Sequence, residues 1–560
     1  MHSYPAVSCP VSVSADEGVL PAGVLVAVRP ADLVSPRRNG AAVGAGDRSA
    51  LAVAGTDRIR TGEPAVFLKV VAVAPAQVTR DGRVRAQGSP CSHATLGPLE
   101  EWLDSKSGPG VIVRIAGHAA LDGKFVKGDR ERLLTAAFVI RALLLMALIP
   151  SAGIRDAAGL LAGDLALVPW SRRWEVASER AFGDWRRALG PGPLEDLQAE
   201  VLGAAWTEHE DRDQDLTVGT RHKLRVRSGD GTLFRVPDTP ANRAAFGTVG
   251  TGDGSSPWPC IRALPVNSVL TRSLLAMPWG PAGKGKASGE QYLLDRAVED
   301  FPHLLTFGIL LILDRNWPGA RRVARLGRLT HFLIRVKSSV ELTRTSEILP
   351  DGSYLATVAG DGAAVTVRVI EYFADVEGKD TPEMFCLVTD LLDAEEYPAT
   401  ELAGLYRRRW DGSETGLRET KASLDGAGPG TGPMLRSGSP DLVAQEIAAL
   451  TAAVEMTRGV TRDAAAAASP ARKGRRAGQP VRSRDLSHAR AVRAVLAAIR
   501  AGRTGYDTLA RAIAGYRVVT DRNRHRPRKS KSPSPFPHAT AKDTPAFIAP
   551  AVITMANKPV

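Results

Sequence analysis

The chain has 560 residues, a formal net charge of +13 and a pI near 9.8. That length accommodates three or four domains, and 44% hydrophobic residues are ample for their cores. The arginine-dominated excess of cations points to a polyanionic partner, since guanidinium groups bind phosphate bidentately, while Cys9, Cys91, Cys260 and Cys386, scattered without CxxC spacing, exclude a zinc ribbon or a disulfide framework and fit a reducing cytoplasm.

Residues 1–94 are rich in Ala, Val, Gly and Pro with weak periodicity, and read as a low-complexity, disordered extension. The first residues, Met1-His2-Ser3-Tyr4-Pro5, lack the charged region and apolar core of a signal peptide. Residues 95–205 read as a helical domain. Its most apolar run, Leu133 to Ile149, is interrupted by Arg141 and stops at Pro150, too short for a membrane span of about 20 residues, so a buried helix is expected. Further on, Ala177, Ala181, Trp185, Ala188 and Leu189 mark the less polar positions of a helix ended by Gly190-Pro191. Exposed Arg172, Arg173, Arg186 and Arg187 on this module are candidates for binding DNA, with an ordinary solvated helix as the alternative.

Leu224 to Val236 reads as strand, turn, strand around Asp230-Gly231, a dipeptide most often found in a hairpin. The alternation leaves Arg225 and Arg227 on a half-exposed or DNA-facing side. Phe307 to Leu313 is a continuous apolar run, expected as a fully buried strand, and Asp314 sits at its end before Arg315-Asn316-Trp317-Pro318-Gly319. A carboxylate there is held rigidly at a sheet edge, where chemistry is well supported. Residues 338–395 read as short strands with turns at Pro350-Asp351-Gly352-Ser353 and Gly360-Asp361-Gly362.

The segment from Tyr406 to Lys421 sets Glu414 among an aromatic and several cations. On a helix, Glu414 and Lys421 lie about two turns apart on one face. Glu414 is then placed to bind a divalent metal while Lys421, Arg409 and Tyr406 grip a nucleic-acid backbone. A Gly/Pro-rich loop leads to a helix from about Asp441 to Arg458, and 461–560 reads as a basic helical segment and tail. Within it, Arg472-Lys473-Gly474-Arg475-Arg476 and the run from Arg522 to Lys531 suit sequence-independent phosphate contacts.

The order of these blocks resembles the DDE transposases of bacterial insertion sequences, in the subgroup marked by a Tyr-Arg-Glu-Lys helix. The resemblance rests on Asp230-Gly231-Thr232, Val236 to Asn242, Ala245-Phe246-Gly247, Leu313-Asp314-Arg315-Asn316, Leu333 to Lys337, Thr389 to Asp393, Tyr406 to Lys421, Leu435 to Pro440 and Gln445-Glu446. It covers roughly residues 95–540. It implies an α/β, ribonuclease H-like mixed sheet flanked by helices, with an N-terminal helical domain (95–205), a catalytic domain (206–337 and 396–460) and a β-rich insertion (338–395) before the last catalytic carboxylate. The implied catalytic and metal-binding residues are Asp230, Asp314 and Glu414, with Asp238 as a weaker substitute for Asp230. They would hold two Mg²⁺ ions (Mn²⁺ may substitute) roughly 3.5–4 Å apart, in a two-metal phosphoryl transfer. Water would free a 3′-hydroxyl at the element's end, and that hydroxyl would attack a target phosphodiester. Tyr406, Arg409, Lys421 and Arg315 would hold DNA. The implied partners are double-stranded DNA (terminal inverted repeats and target) and a second copy in a homodimer, on the bacterial nucleoid, with no membrane. The alternatives are an inactive remnant acting as a DNA-binding regulator, or a metal-dependent nuclease without strand transfer. One departure is local: four residues, Trp410 to Ser413, separate Arg409 from Glu414 where the family has three, which a one-residue bulge near Gly412 would absorb.

Overall fold

The computed structural model describes residues 76–78, 84–86, 95–121, 135–149, 152–162, 177–212, 216–249, 256–283, 289–300, 306–317, 319–336, 340–360, 362–375, 383–421, 434–470, 478–502, 505–518, 524–525, 547–548 and 552–557. The chain divides into two units, Met1–Ser89 and Pro90–Val560. Of the first, the described residues are two antiparallel strands, β1 (Ala76–Val78) and β2 (Val84–Ala86). The expectation of disorder for 1–94 otherwise lies outside the described residues.

The second unit opens with six helices: α1 (Pro98–Ser107), α2 (Val111–Leu121), α3 (Ala136–Leu148), α4 (Ile154–Leu161), α5 (Glu179–Leu189) and α6 (Gly192–Arg212). The apolar run expected as a buried helix is α3, whose Arg141 is 2% exposed and paired through two 2.7 Å hydrogen bonds with Glu100. No helix among the described residues is long and apolar enough to cross a membrane.

Then come β3 (Thr217–Val218), β4 (Leu224–Gly229), β5 (Thr232–Arg235), α7 (Pro240–Phe246), β6 (Thr248–Val249), β7 (Ser256–Ala263), β8 (Val266–Ser268), β9 (Leu274–Ala276), β10 (Trp279–Pro281) and α8 (Glu290–Asp300). The chain continues through β11 (Ile309–Leu313), α9 (Ala320–Leu326), β12 (His331–Arg335), β13 (Leu342–Arg344), β14 (Tyr354–Gly360), β15 (Ala363–Asp375) and β16 (Glu383–Thr389). Helices α10 (Ala399–Arg407), α11 (Arg409–Lys421), α12 (Pro440–Ala466), α13 (His488–Ala501) and α14 (Tyr506–Ala514) follow, then short strands β17 (Arg524–His525), β18 (Phe547–Ile548) and β19 (Val552–Met555).

The architecture is mixed α/β around one 11-stranded sheet in the order β13-β14-β15-β16-β12-β11-β4-β8-β9, with β19 on β15 and β3 on β4. Strands β4, β11 and β12 are parallel, and β8 and β16 run antiparallel to their neighbours β4 and β12. The β-rich segment before α10 thus extends this same sheet. Gly360 faces Ala363 across the β14–β15 turn, where Gly362 takes φ 74°, a left-handed conformation that glycine adopts without a Cβ clash.

All five residues of β11 are buried, as a continuous apolar run requires. Leu310 and Ile312 join Val226, Leu333 and Leu402 on one face, while Leu311 and Leu313 join Leu264, Leu293 and Val323 on the other. Arg227 does not face outward: it is fully buried, its guanidinium 5.4 Å from the Trp206 ring. The helices before and after the sheet are not separate in packing. Trp102, Phe138, Phe182, Leu197, Ile447, Val454 and Val495 belong to a single core, because α12, expected to end near Arg458, runs to Ala466 through the middle of the helical module.

The Asp230-Gly231 break is not a hairpin. β4 belongs to the large sheet, whereas β5 pairs with β7 in a second sheet of order β10-β7-β5. A side chain at Gly231 would collide with the Glu290 carboxylate, so the chain can cross between sheets there only as glycine.

Candidate active site

Ser228 on β4 lies beside Ile312 on β11 in a parallel register. Two residues on, Asp230 and Asp314 therefore leave neighbouring strands at the same level, at their carboxyl ends. Strand spacing of about 4.8 Å sets the scale of their separation. Asn316 holds Asp314 by its backbone N–H (2.8 Å to Oδ1) and its amide (3.0 Å to Oδ2), a local Asx arrangement that ends the strand. Asp230 accepts from Arg409 Nη1 at 3.3 Å.

The sequence reading missed Glu290. At the start of α8, it pairs with Arg262 at 2.9 Å and packs on Gly231. Burial, and then the charges of Asp314 and Asp230, push its carboxyl above the usual range, against the pull of Arg262. Asp230 is likewise raised, by burial first and by Asp314 beyond it, with Arg409 opposing. Nothing in the residues around Glu290 signals this; the fold brings it in from some sixty residues downstream. Asp238 is not part of the site: it pairs on the surface with Arg243.

Helix α11 carries Glu414, whose side chain lies outside the described residues. The bulge expected near Gly412 is absent: Ser413 Oγ donates to Arg409 O at 2.9 Å, one regular α-helical turn. The discontinuity is at Arg408 instead, which caps α10 before α11 begins at Arg409. Gly412 serves close approach rather than bending. A Cβ there would run into Ser228 Oγ and lie 3.0 Å from Val269 Cα, so glycine lets α11 lie directly on β4. We expect Gly412→Ala to push α11 off the sheet and to lower turnover on DNA about a hundredfold, with far-UV circular dichroism unchanged. Retained turnover would show that the contact is dispensable.

Tyr406 is 4% exposed, packed edge-on against Phe385 with Arg409 5.9 Å from its ring. Burial and the nearby Asp314 raise its hydroxyl to about 12. Lys421 Nζ lies 5.8 Å from the Phe234 ring, and Arg315 is exposed beside Asp314. Arg187 is exposed and paired with Asp184, but Arg186, expected on an exposed DNA-binding face, is buried. It donates to Gln445 Oε1, Ser437 Oγ and Leu442 O, clamping α5 to α12. The signal was available: Arg186 falls four residues after Phe182 and three before Leu189, on the buried stripe. Arg172, Arg173 and the basic run 472–476 lie outside the described residues, as does that from 522 to 531 apart from β17.

Several blocks used as motifs hold structure together. Asn242 Nδ2 donates to Pro237 O and Ser437 O at 3.0 Å, Thr239 donates to Gly438 O, and Arg436 N donates to Glu446.

The carboxylates at the strand ends are hard oxygen donors and fit Mg²⁺ or Mn²⁺ by type. The upward shifts of Asp230 and Glu290 are what a crowded acidic site shows when no cation offsets it. Among the described residues, no group of three His, Cys, Asp or Glu side chains is disposed to hold a metal ion.

No family model matches the chain. It is similar to Transposase InsG for insertion sequence element IS4 of Escherichia coli (strain K12), 25% identical over 246 residues, or 42% of this chain and 52% of that protein. The chain thus spans about half the length of that curated relative. It is also similar to a piggyBac transposase solved in a synaptic complex with hairpin DNA, at 14% identity and a TM-score of 0.37, covering 76% of this chain and 87% of that one. At that score the superposition carries no weight.

Proposed function

We propose that this chain is a DDE transposase that cuts and joins DNA at insertion-sequence ends. The observation that carries the reading is the pairing of Asp230 and Asp314 at the carboxyl ends of adjacent parallel strands, beneath the helix that bears Arg409 and Glu414. The similarity to the IS4 transposase supports it. The run β9-β8-β4-β11-β12, an antiparallel meander continued by two parallel strands, supports a ribonuclease H-like fold.

Asp230, Asp314 and Glu414 would hold the divalent ions, Mg²⁺ or Mn²⁺. Bound there, such ions supply charge stabilisation to the attacking and leaving oxygens of an in-line displacement. Arg409 keeps Asp230 ionised and fixed, and Tyr406 packs behind Arg409. Asn316 orients Asp314. Arg315 and Lys421 are placed to hold backbone phosphates, and double-stranded DNA and a second copy of the chain are the expected partners in the bacterial cytoplasm.

The test uses a duplex carrying the element's own end. In Mg²⁺ the wild type should release a 3′-hydroxyl and then yield joined products, and Glu414→Gln should do neither. Cleavage without joining would favour a nuclease, and binding without cleavage in Mg²⁺ or Mn²⁺ a DNA-binding remnant.

The raised carboxyls give a metal prediction with a definite sign. A folded state whose Asp230 and Glu290 hold protons more tightly than the unfolded chain loses stability as pH rises through those raised values. A divalent cation reverses this only where the carboxylates are ionised. Mg²⁺ should therefore raise the unfolding temperature more at pH 8 than at pH 5, and Glu290→Gln should shrink the difference. Equal shifts at both pH values would argue against binding at these carboxylates.

A further inference from the structure

A second charged cavity lies where α11, α12 and the β8–β9 turn meet, lined by Arg272, Glu419, Arg458, Thr461, Arg484 and His488 among others. It holds about 260 Å³ of atom-free space, part of it open to solvent. Three guanidinium groups face one carboxylate, Glu419, which Arg272 holds at 3.0 Å and Arg458 at 3.5 Å. Glu455, the next acid, is occupied by Arg462 and the Leu274 N–H.

Two features go beyond an ordinary ion-pair cluster. Arg458 is 4% exposed and spends Nη2 on Gly416 O at 2.7 Å, while its Nε is buried with no hydrogen-bond partner among the described residues. Arg272 has φ 63°, the positive-φ residue other than glycine among those described. Such strain costs on the order of 1 kcal/mol or more and persists where the surroundings require it. Arg484, 7% exposed, adds a third cation that neither anchors α11 nor serves the carboxylate site.

We propose that this cavity is an oxyanion site that takes a phosphate group. Guanidinium forks match phosphate oxygens bidentately, and burial strengthens each charge-assisted bond. Glu419 shares Arg272 and Arg458 with the cavity, and Arg458 also caps Gly416, so phosphate there acts on the cations that fix α11. Free phosphate and a nucleic-acid backbone phosphate present the same chemistry.

The full chain is titrated with inorganic phosphate by calorimetry, with chloride balancing ionic strength. Saturable one-site binding is expected. Arg484→Met should weaken it roughly 10–100-fold, the scale of losing a charge-assisted hydrogen bond, and Arg484→Lys less. In the wild type the His488 imidazole NMR signals should move along the same isotherm, a readout that stands even if a variant fails to fold. Competition between phosphate and a short duplex would identify a DNA backbone phosphate as the ligand, and its absence a free anion. No saturable binding by the wild type, or binding that leaves His488 unmoved, would overturn the proposal.

Discussion

Asp314→Asn should lower Mg²⁺-dependent DNA cleavage by about a thousandfold or more while leaving the protein folded. The substitution keeps the shape of the side chain and an oxygen to accept the Asn316 N–H, and the hydrophobic environment of β11 is untouched. What it removes is half of the charge at the strand ends. Several kcal/mol of transition-state stabilisation depend on that charge if cations act there, and each 1.4 kcal/mol is about tenfold in rate. The stability effect should have the opposite sign from the usual destabilising substitution. Asp314 raises both Asp230 and Glu290, so neutralising it relieves repulsion in the metal-free protein. Turnover and urea unfolding together check this: activity falls while the unfolding midpoint holds or rises. Activity within tenfold of wild type would remove Asp314 from the chemistry.

The largest effect on stability is expected from Arg462→Met. Arg462 is 1% exposed and joins Glu455 on its own helix (2.6 Å), Glu208 on α6 (2.9 Å) and Ser273 Oγ beside β9 (2.5 Å), with Trp102 stacked near it. Methionine fills most of the volume but strands two buried carboxylates, and breaking a buried pair in this way costs about 3–5 kcal/mol. The exposed Arg187–Asp184 pair gives the contrast, since removing it should cost at most about 1 kcal/mol. Urea unfolding measures both. A loss below about 1 kcal/mol for Arg462→Met would mean that the carboxylates find other partners or protons.

Continuous patterns were legible in the sequence, and convergences across the chain were less so. The apolar run of β11 told its own burial and placed Asp314 at a strand end, because a strand covered on both faces needs no polar position. The apolar stripe of α3 was legible for the same reason. Asp230-Gly231 was read as a turn because dipeptide chemistry describes a change of direction but not which sheet the next strand joins. Arg227 and Arg186 were placed outside by residue type, although each is buried against an aromatic or amide partner that only the fold supplies. Gly412 was taken for a bulge, whereas its lack of a side chain is used against Ser228 on another element. Glu290 had no local signature at all. Its role follows from contact with Gly231 and Arg262, which sequence spacing cannot express.

The most direct test of the account is metal binding at the two strand ends. Mn²⁺ titrated into the wild-type chain, in the presence of DNA carrying the element's end and followed by electron paramagnetic resonance, should bind stoichiometrically, and Asp230→Asn combined with Asp314→Asn should abolish that binding while the fold persists. Tight Mn²⁺ binding that survives in the double variant, or none in the wild type, would contradict a metal centre built on Asp230 and Asp314.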